Sequence, residues 1–197
     1  MSEGSCCSTG MSVADLKNRI EQIIKGSTVP EDPAHSKNTL HWLLRLKPNA
    51  DEALQIAALG HDIERAIEGR KVRRVDYESY DAFKQAHAIN SARILNEEMR
   101  RCGVPEPLAK RVFYLVSHHE TGGDPGANVL RDADAISFFD VNLPHYFARN
   151  STGETKRRCL WGYRKLPHHL KRVVAGFHYH DRRLQSLVGE CLREAER

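Results

Sequence analysis

Apolar residues recur at helical spacing along most of the chain. In "VADLKNRIEQIIKG", Val13, Leu16, Ile20 and either Ile23 or Ile24 fall on one face, and Gly26 stops the run. "STVPEDP" is a loop with two prolines, and "AHSKNTLHWLLRLKP" predicts a short helix ended by Pro48. The next helix starts at Asn49 or Asp51 and runs through Leu54, Ile56, Ala57, Leu59 and Ile63 to about Gly69. "GRKVRRVDYES" is a basic, irregular connection. "YDAFKQAHAINSARILNEEMRRCG" predicts a long helix closed by Gly103. "PEPLAKRVFYLVSHHE" predicts another, with Pro105 or Pro107 at its start and Leu108, Val112 and Leu115 on one stripe. "TGGDPGAN" reads as a glycine-rich loop flexible enough to close over a substrate. Helix resumes in "VLRDADAISFFDVNL" at least to Leu143, and the tail predicts two more helices, separated near Pro167 and Gly176. No stretch shows strand alternation, and no repeat period is visible. The pattern predicts one all-α domain of seven to nine helices over 13–197, with C-terminal helices in 155–197, behind a disordered polar tail at 1–12.

Composition narrows this picture without changing it. The 197 residues are 40% hydrophobic and 28% charged, which suits one globular domain. No apolar run approaches the roughly 18 to 20 residues that span a bilayer, and "MSEGSCCSTGMS" lacks the basic and apolar parts of a signal peptide. A cytoplasmic protein with no membrane partner is expected. The five cysteines are odd in number and irregular in spacing, which points to reduced thiols; Cys6-Cys7 alone makes a poor metal site. A net charge of +4 permits an anionic ligand and does not call for nucleic acid. The basic and aromatic stretch "KRRCLWGYRKLPHHLKRVV" is read first as an amphipathic helix with a solvated basic face, and second as a seat for a nucleotide base. Oligomeric state is left open.

Chemistry enters with the eleven histidines. In "AALGHDIERA", His61 and Asp62 follow a run of Ala and Leu where a core would take aliphatic residues. A buried carboxylate is costly unless a cation or hydrogen-bond donors meet it. Histidines and acids also fall on apolar faces or helix ends at His35, His87, His118, His119, Asp132 and Asp134. They are spread over several segments, and a helical bundle can bring such side chains to one point. Imidazole nitrogen with carboxylate oxygen suits a divalent transition metal better than calcium. The plain alternatives are a core histidine bonded to a carbonyl at His87, and imidazoles favoured by a helix C-terminal dipole at His118 and His119.

The order His35 in "PAHSKN", His61-Asp62 in "IAALGHDIERA" and the acids of "LRDADAI" resembles the HD superfamily of metal-dependent phosphohydrolases, over about residues 33 to 140. The resemblance implies an HD-type helical bundle with His35, His61, Asp62 and Asp134 as ligands of a first metal. Asp132 is the competing ligand or a partner behind it. "KQAHAINSARIL" and "YLVSHHETGGD" resemble segments of family members with more than one metal, and imply His87 and His118 at a second ion, with His119 behind His118. The GYP signature is absent, so cyclic dinucleotide cleavage is not implied. The lysine common in HDxxK is replaced by Arg65, after Glu64; Glu64 is a candidate to order or activate a water. Arg65, Arg70, Lys71, Arg73 and Arg74 are candidates to clamp phosphate, Arg65 first, then Lys71 and Arg73. The implied activity is hydrolysis of a phosphate ester, of a nucleotide or another small molecule, with one or two ions of Mn, Fe, Co, Ni, Zn or Mg. A di-iron oxygenase and a non-catalytic ligand-sensing module are the competing classes.

Overall fold

A computed structural model describes residues 12–197, so the expected tail and Cys6-Cys7 lie outside the described residues. Its ten α-helices are α1 (Val13–Lys25), α2 (Asp32–Leu46), α3 (Glu52–Gly60), α4 (Tyr80–Arg101), α5 (Glu106–Ser117), α6 (Pro125–Ser137), α7 (Leu143–Arg149), α8 (Thr152–Lys165), α9 (His168–Ala175) and α10 (Arg182–Ala195). The fold is all-α, and no strand occurs among the described residues. None of these helices is long and apolar enough to cross a membrane.

Local chemistry sets several of the boundaries. The Ser12 hydroxyl caps α1 and the Asp15 carboxylate answers it in a capping box; Leu16, Ile20 and Ile24 then bury one face. Full burial of each such side chain contributes about 1.5–3 kcal/mol. Asp51 caps α3 through the Leu54 amide, and Ser79 caps α4 through the Ala82 amide. Gly103, at φ 69°, supplies the left-handed residue just past α4.

Four boundaries differ from the expectation. The helix expected to reach about Gly69 stops at Gly60, and the chain continues in short 3-10 turns at Ile63–Ala66 and Glu68–Arg70. A side chain at Gly60 would bring its Cβ to 2.7 Å from Leu95 Cδ2, so α3 and α4 approach here on a bare backbone. Second, α2 begins two residues earlier than read, with Pro33 in its first turn. Third, "TGGDPGAN" is not all loop. Asp124 caps α6 and Pro125, Gly126 and Ala127 form its first turn, the last two buried. Proline at the helix start needs no amide partner, which a loop reading of Pro and Gly overlooks. Fourth, the tail holds three helices, not two, because Pro167 and Gly176 each bound one.

Helix α3 is buried on nearly every side and packs against α2 and α5, while α4 packs along α5 and α2 along α6. One apolar cluster gathers residues of α1 through α6; a second gathers α6 through α10. Trp42 and Leu46 of α2 pack against both. Between α6 and α7 the helix widens into a π turn at Phe138–Asn142. Its Asp140 accepts hydrogen bonds from Asn38 Nδ2 (2.8 Å) and Trp42 Nε1 (2.9 Å), and Tyr179 donates to the Phe139 carbonyl (3.0 Å). Extra turns of this kind gather at functional sites, and this one borders the cavity described next.

Candidate metal centre

Side chains from five helices and the turns that follow them converge. His35 comes from the first turns of α2, His61 and Asp62 from the turn that ends α3, His87 from α4, His119 from just beyond α5, and Asp134 from the last turn of α6. Asp62 has φ −106° and ψ 16°, in the bridge region, so its carboxylate leaves the helix axis at the stop of α3.

Each of the four imidazoles is anchored through Nδ1 to an oxygen. His61 Nδ1 donates to the Ala58 carbonyl (3.0 Å) and His119 Nδ1 to the Val116 carbonyl (2.7 Å). His35 Nδ1 meets Ser137 Oγ at 2.9 Å, and that hydroxyl donates onward to the His35 carbonyl, so the imidazole is the donor. His87 Nδ1 meets Glu64 Oε1 at 2.7 Å. The Nε2 atoms are thereby turned inward. His35 Nε2 and His61 Nε2 lie 3.2 Å apart, and Asp134 Oδ1 lies 3.0 Å from the first and 3.4 Å from the second. Asp62 reaches both sides. Its Oδ1 is 2.7 Å from His87 Nε2, 3.7 Å from His61 Nε2 and 3.8 Å from His119 Nε2, while Oδ2 is 3.8 Å from His35 Nε2. Three groups have ligand atoms within 4.8 Å of one another: His35, His61 and Asp62; Asp62, His87 and His119; His119, Glu120 and Asp134.

The electrostatics favour positive charge at this point. Burial pushes His61 down, but Asp62 and Asp134 outweigh it and raise its pKa to about 9. Burial likewise pushes the two carboxylates up, and the surrounding cations outweigh that. Asp62 is held far below the usual carboxylate range by His61, His87 and Arg65, and Asp134 by His61 and His35. His119 Nε2 is buried; Glu120 Oε1 lies 3.2 Å away, but no contact to this nitrogen has hydrogen-bond geometry. A buried nitrogen left in that state beside carboxylates is what a missing cation partner would leave behind. The donor set, imidazole Nε2 with carboxylate oxygen, fits a divalent transition metal. Asp62 and Asp134 keep 13% and 20% side-chain exposure while His61 has none, so the carboxylates face the cavity and His61 lies behind them.

That cavity encloses about 110 Å³ and is lined by His35, Asp62, His119 and Asp134 together with residues of the π turn and α8. The structure gathers His35, His61, Asp62, His87 and Asp134 of the sequence-predicted ligands. It does not gather His118. That imidazole donates to the Tyr114 carbonyl (2.8 Å) and stacks on the Tyr114 ring, at 4.2 Å between centroids. His119 takes the inward place instead. A usable signal was present: Val112, Leu115 and Val116 are buried, and the same helical period continues to 119, not 118. Asp132 borders the cavity but is held by Arg131 (2.8 Å) and belongs to none of the three ligand groups. Glu64 does not line the cavity. Its second oxygen accepts from the Val72 amide (2.9 Å) and Asn90 Nδ2 (3.0 Å), so it holds His87 from behind. Arg65 does line the cavity, 3.0 Å from Asp62 and 2.8 Å from Asp32. Lys71 pairs with Glu68 (2.6 Å), Arg70 pairs with Glu97 (2.7 Å), and Arg73 and Arg74 are exposed; none of the four borders the cavity. Sequence reasoning missed Lys84, Glu120 and Arg131, which do border it; Arg158 and Trp161, from the basic and aromatic stretch whose second reading is a seat for a nucleotide base, border it as well.

Fold and donor set together define an all-α protein with a histidine- and aspartate-rich site compatible with a divalent metal. The chain belongs to the family described as a domain of unknown function, DUF4202, whose family model matches residues 13–188. No curated protein and no solved structure matches the chain.

Proposed function

We propose that this protein is a metal-dependent phosphohydrolase of the HD type, acting on the phosphate ester of a nucleotide or another small molecule. One observation carries the reading: the Asp62 carboxylate stands between two groups of inward imidazoles, with His35 and His61 on one side and His87 and His119 on the other. A carboxylate so placed serves a one-ion or a two-ion site. The resemblance of the residue order to the HD superfamily supports the same chemistry. A divalent cation there supplies Lewis acidity toward phosphoryl oxygen and a water acidic enough to lose its proton near pH 7.

The chain's own residues do the rest. Glu64 fixes the ring and tautomer of His87. Arg65 neutralises Asp62 from the α3 side and ties it to Asp32, which holds the carboxylate in one orientation. Lys84 pairs with Glu120, which Lys84 and His119 together hold down at about 2, so Glu120 remains an anion beside the cluster. The four imidazoles also suit a di-iron centre, and oxygen uptake with an iron-specific spectrum would favour that second reading.

The test is elemental analysis of purified protein with phosphate release from a panel of phosphate esters, run beside Asp62→Ala. The proposal expects bound divalent metal and turnover in the wild type, and loss of both in the variant. Metal-loaded wild type that releases no phosphate from any ester would overturn it.

A further inference from the structure

Five basic side chains border the cavity over the His/Asp cluster, and four of them have a carboxylate partner within the chain. Arg65 has Asp62 and Asp32, Arg131 has Asp132, Lys84 has Glu120, and Lys165 has Asp81 at 3.8 Å. Arg158 is the exception. Its guanidinium carbon lies 4.6 Å from the Trp161 ring centroid, 4.8 Å from Phe138 and 5.5 Å from Tyr80. No carboxylate among the described residues is in ion-pair contact with it. The three rings come from three different elements: α8, the π turn and the start of α4.

An aromatic cage fixes a guanidinium while using none of its N–H donors. What remains is a planar fork shaped for the oxygens of a carboxylate or phosphate. The cavity it borders, about 110 Å³, has room for a tetrahedral oxyanion. Past Arg158 and Trp161 it opens toward a wider pocket of about 870 Å³, lined by Tyr146, Arg149 and Arg157 among others, where the remainder of a larger ester has room.

We infer that Arg158 is the anion-binding residue of this site, taking the oxygens of a phosphoryl group in the same cavity that the His/Asp cluster borders. The identity of the reacting group rests on the hydrolase reading; the binding of an oxyanion by Arg158 does not.

Inorganic phosphate is the probe. It is titrated into the full-length protein as purified and again after chelator treatment, with binding followed by calorimetry and tryptophan fluorescence. Trp161→Phe identifies which tryptophan responds. Arg158→Met is expected to weaken phosphate binding at least tenfold and Arg158→Lys to restore only part of it, because an ammonium lacks the planar fork. Both variants should keep the wild-type helical spectrum and metal content, since Arg158 touches none of the candidate ligands. Equal phosphate binding in wild type and Arg158→Met, or no binding by the wild type in either state, would overturn the inference. If binding is lost in Arg158→Met but the wild type hydrolyses no ester, the anion site stands and the hydrolase reading fails. If esters are hydrolysed with unchanged KM by Arg158→Met, the hydrolase reading stands and the anion site fails.

Discussion

Replacing Glu64 with glutamine separates two roles for a carboxylate that follows the HD pair by two residues. The Oε1–Nδ1 contact with His87 is 2.7 Å and buried, and the opposite oxygen is held by the Val72 amide and Asn90. Glutamine keeps the shape and one acceptor but removes the charge. Charge-assisted hydrogen bonds are about twice as strong as neutral ones, and loss of such a partner behind a metal-binding histidine costs about 10–100-fold in metal affinity. A tenfold loss is about 1.4 kcal/mol. The assay is competition for metal against a chromophoric chelator, with turnover measured at limiting and at saturating metal. The expected result is a metal affinity weaker by about 10–100-fold at a site that includes His87, with turnover recovered to within a few-fold at saturating metal. Turnover lost at saturating metal with unchanged metal affinity would make Glu64 a proton-transfer group and refute the positioning role. No change in either quantity would remove His87 from the ligand set.

Further substitutions probe other parts of the site and fold. His119→Ala should lower metal content or affinity, whereas His118→Ala should leave both near wild type, because the His118 ring is bonded to Tyr114 and turned away; metal analysis of the two variants side by side checks this, and the reverse pattern would contradict the assignment. Arg149→Met removes the partner of buried Glu31, and with Arg149 43% exposed the loss should be about 1–2 kcal/mol in denaturant unfolding at pH 7. Burial pushes the Glu31 carboxyl up but Arg149 outweighs it, so its folded pKa is lowered. The pair's contribution is therefore full above the ordinary carboxylate pKa and fades as the pH falls through the lowered value. The gap between wild type and Arg149→Met should narrow in acid, and a gap constant down to pH 3 would contradict the pairing. Gly60→Val should destabilise by about 1–3 kcal/mol through the close approach to the buried Leu95 side chain, read as a lower melting temperature.

The helices that could be read from the chain are those whose stripe and cap agree. In α1 the serine cap and the Leu16, Ile20, Ile24 face point to the same boundaries. In α4 Ser79 and Gly103 bound an uninterrupted pattern. Boundaries failed where local chemistry has two meanings. Asp-Pro-Gly opens a helix as readily as it forms a loop, and the apolar run through Ile63 did not show that α3 stops at Gly60. The residues gathered at the cluster were legible because a family pattern orders them, while the choice between His118 and His119 needed the phase of α5. Arg65 was legible as a neighbour of the HD pair. Arg158 and Lys84 were not, because their place at the cavity depends on how α8 and α4 pack against α6, which no local spacing encodes; Arg131 was readable as the residue three before Asp134 on α6 and was passed over.

Anomalous diffraction at the absorption edge of manganese, from crystals grown with that metal, addresses the central claim directly. The expected density lies within about 2.0–2.3 Å of His61 Nε2 and of carboxylate oxygens of Asp62 or Asp134, and disappears in Asp62→Ala. Ordered metal only at other positions, or none at concentrations that fill exposed carboxylate sites, would contradict it.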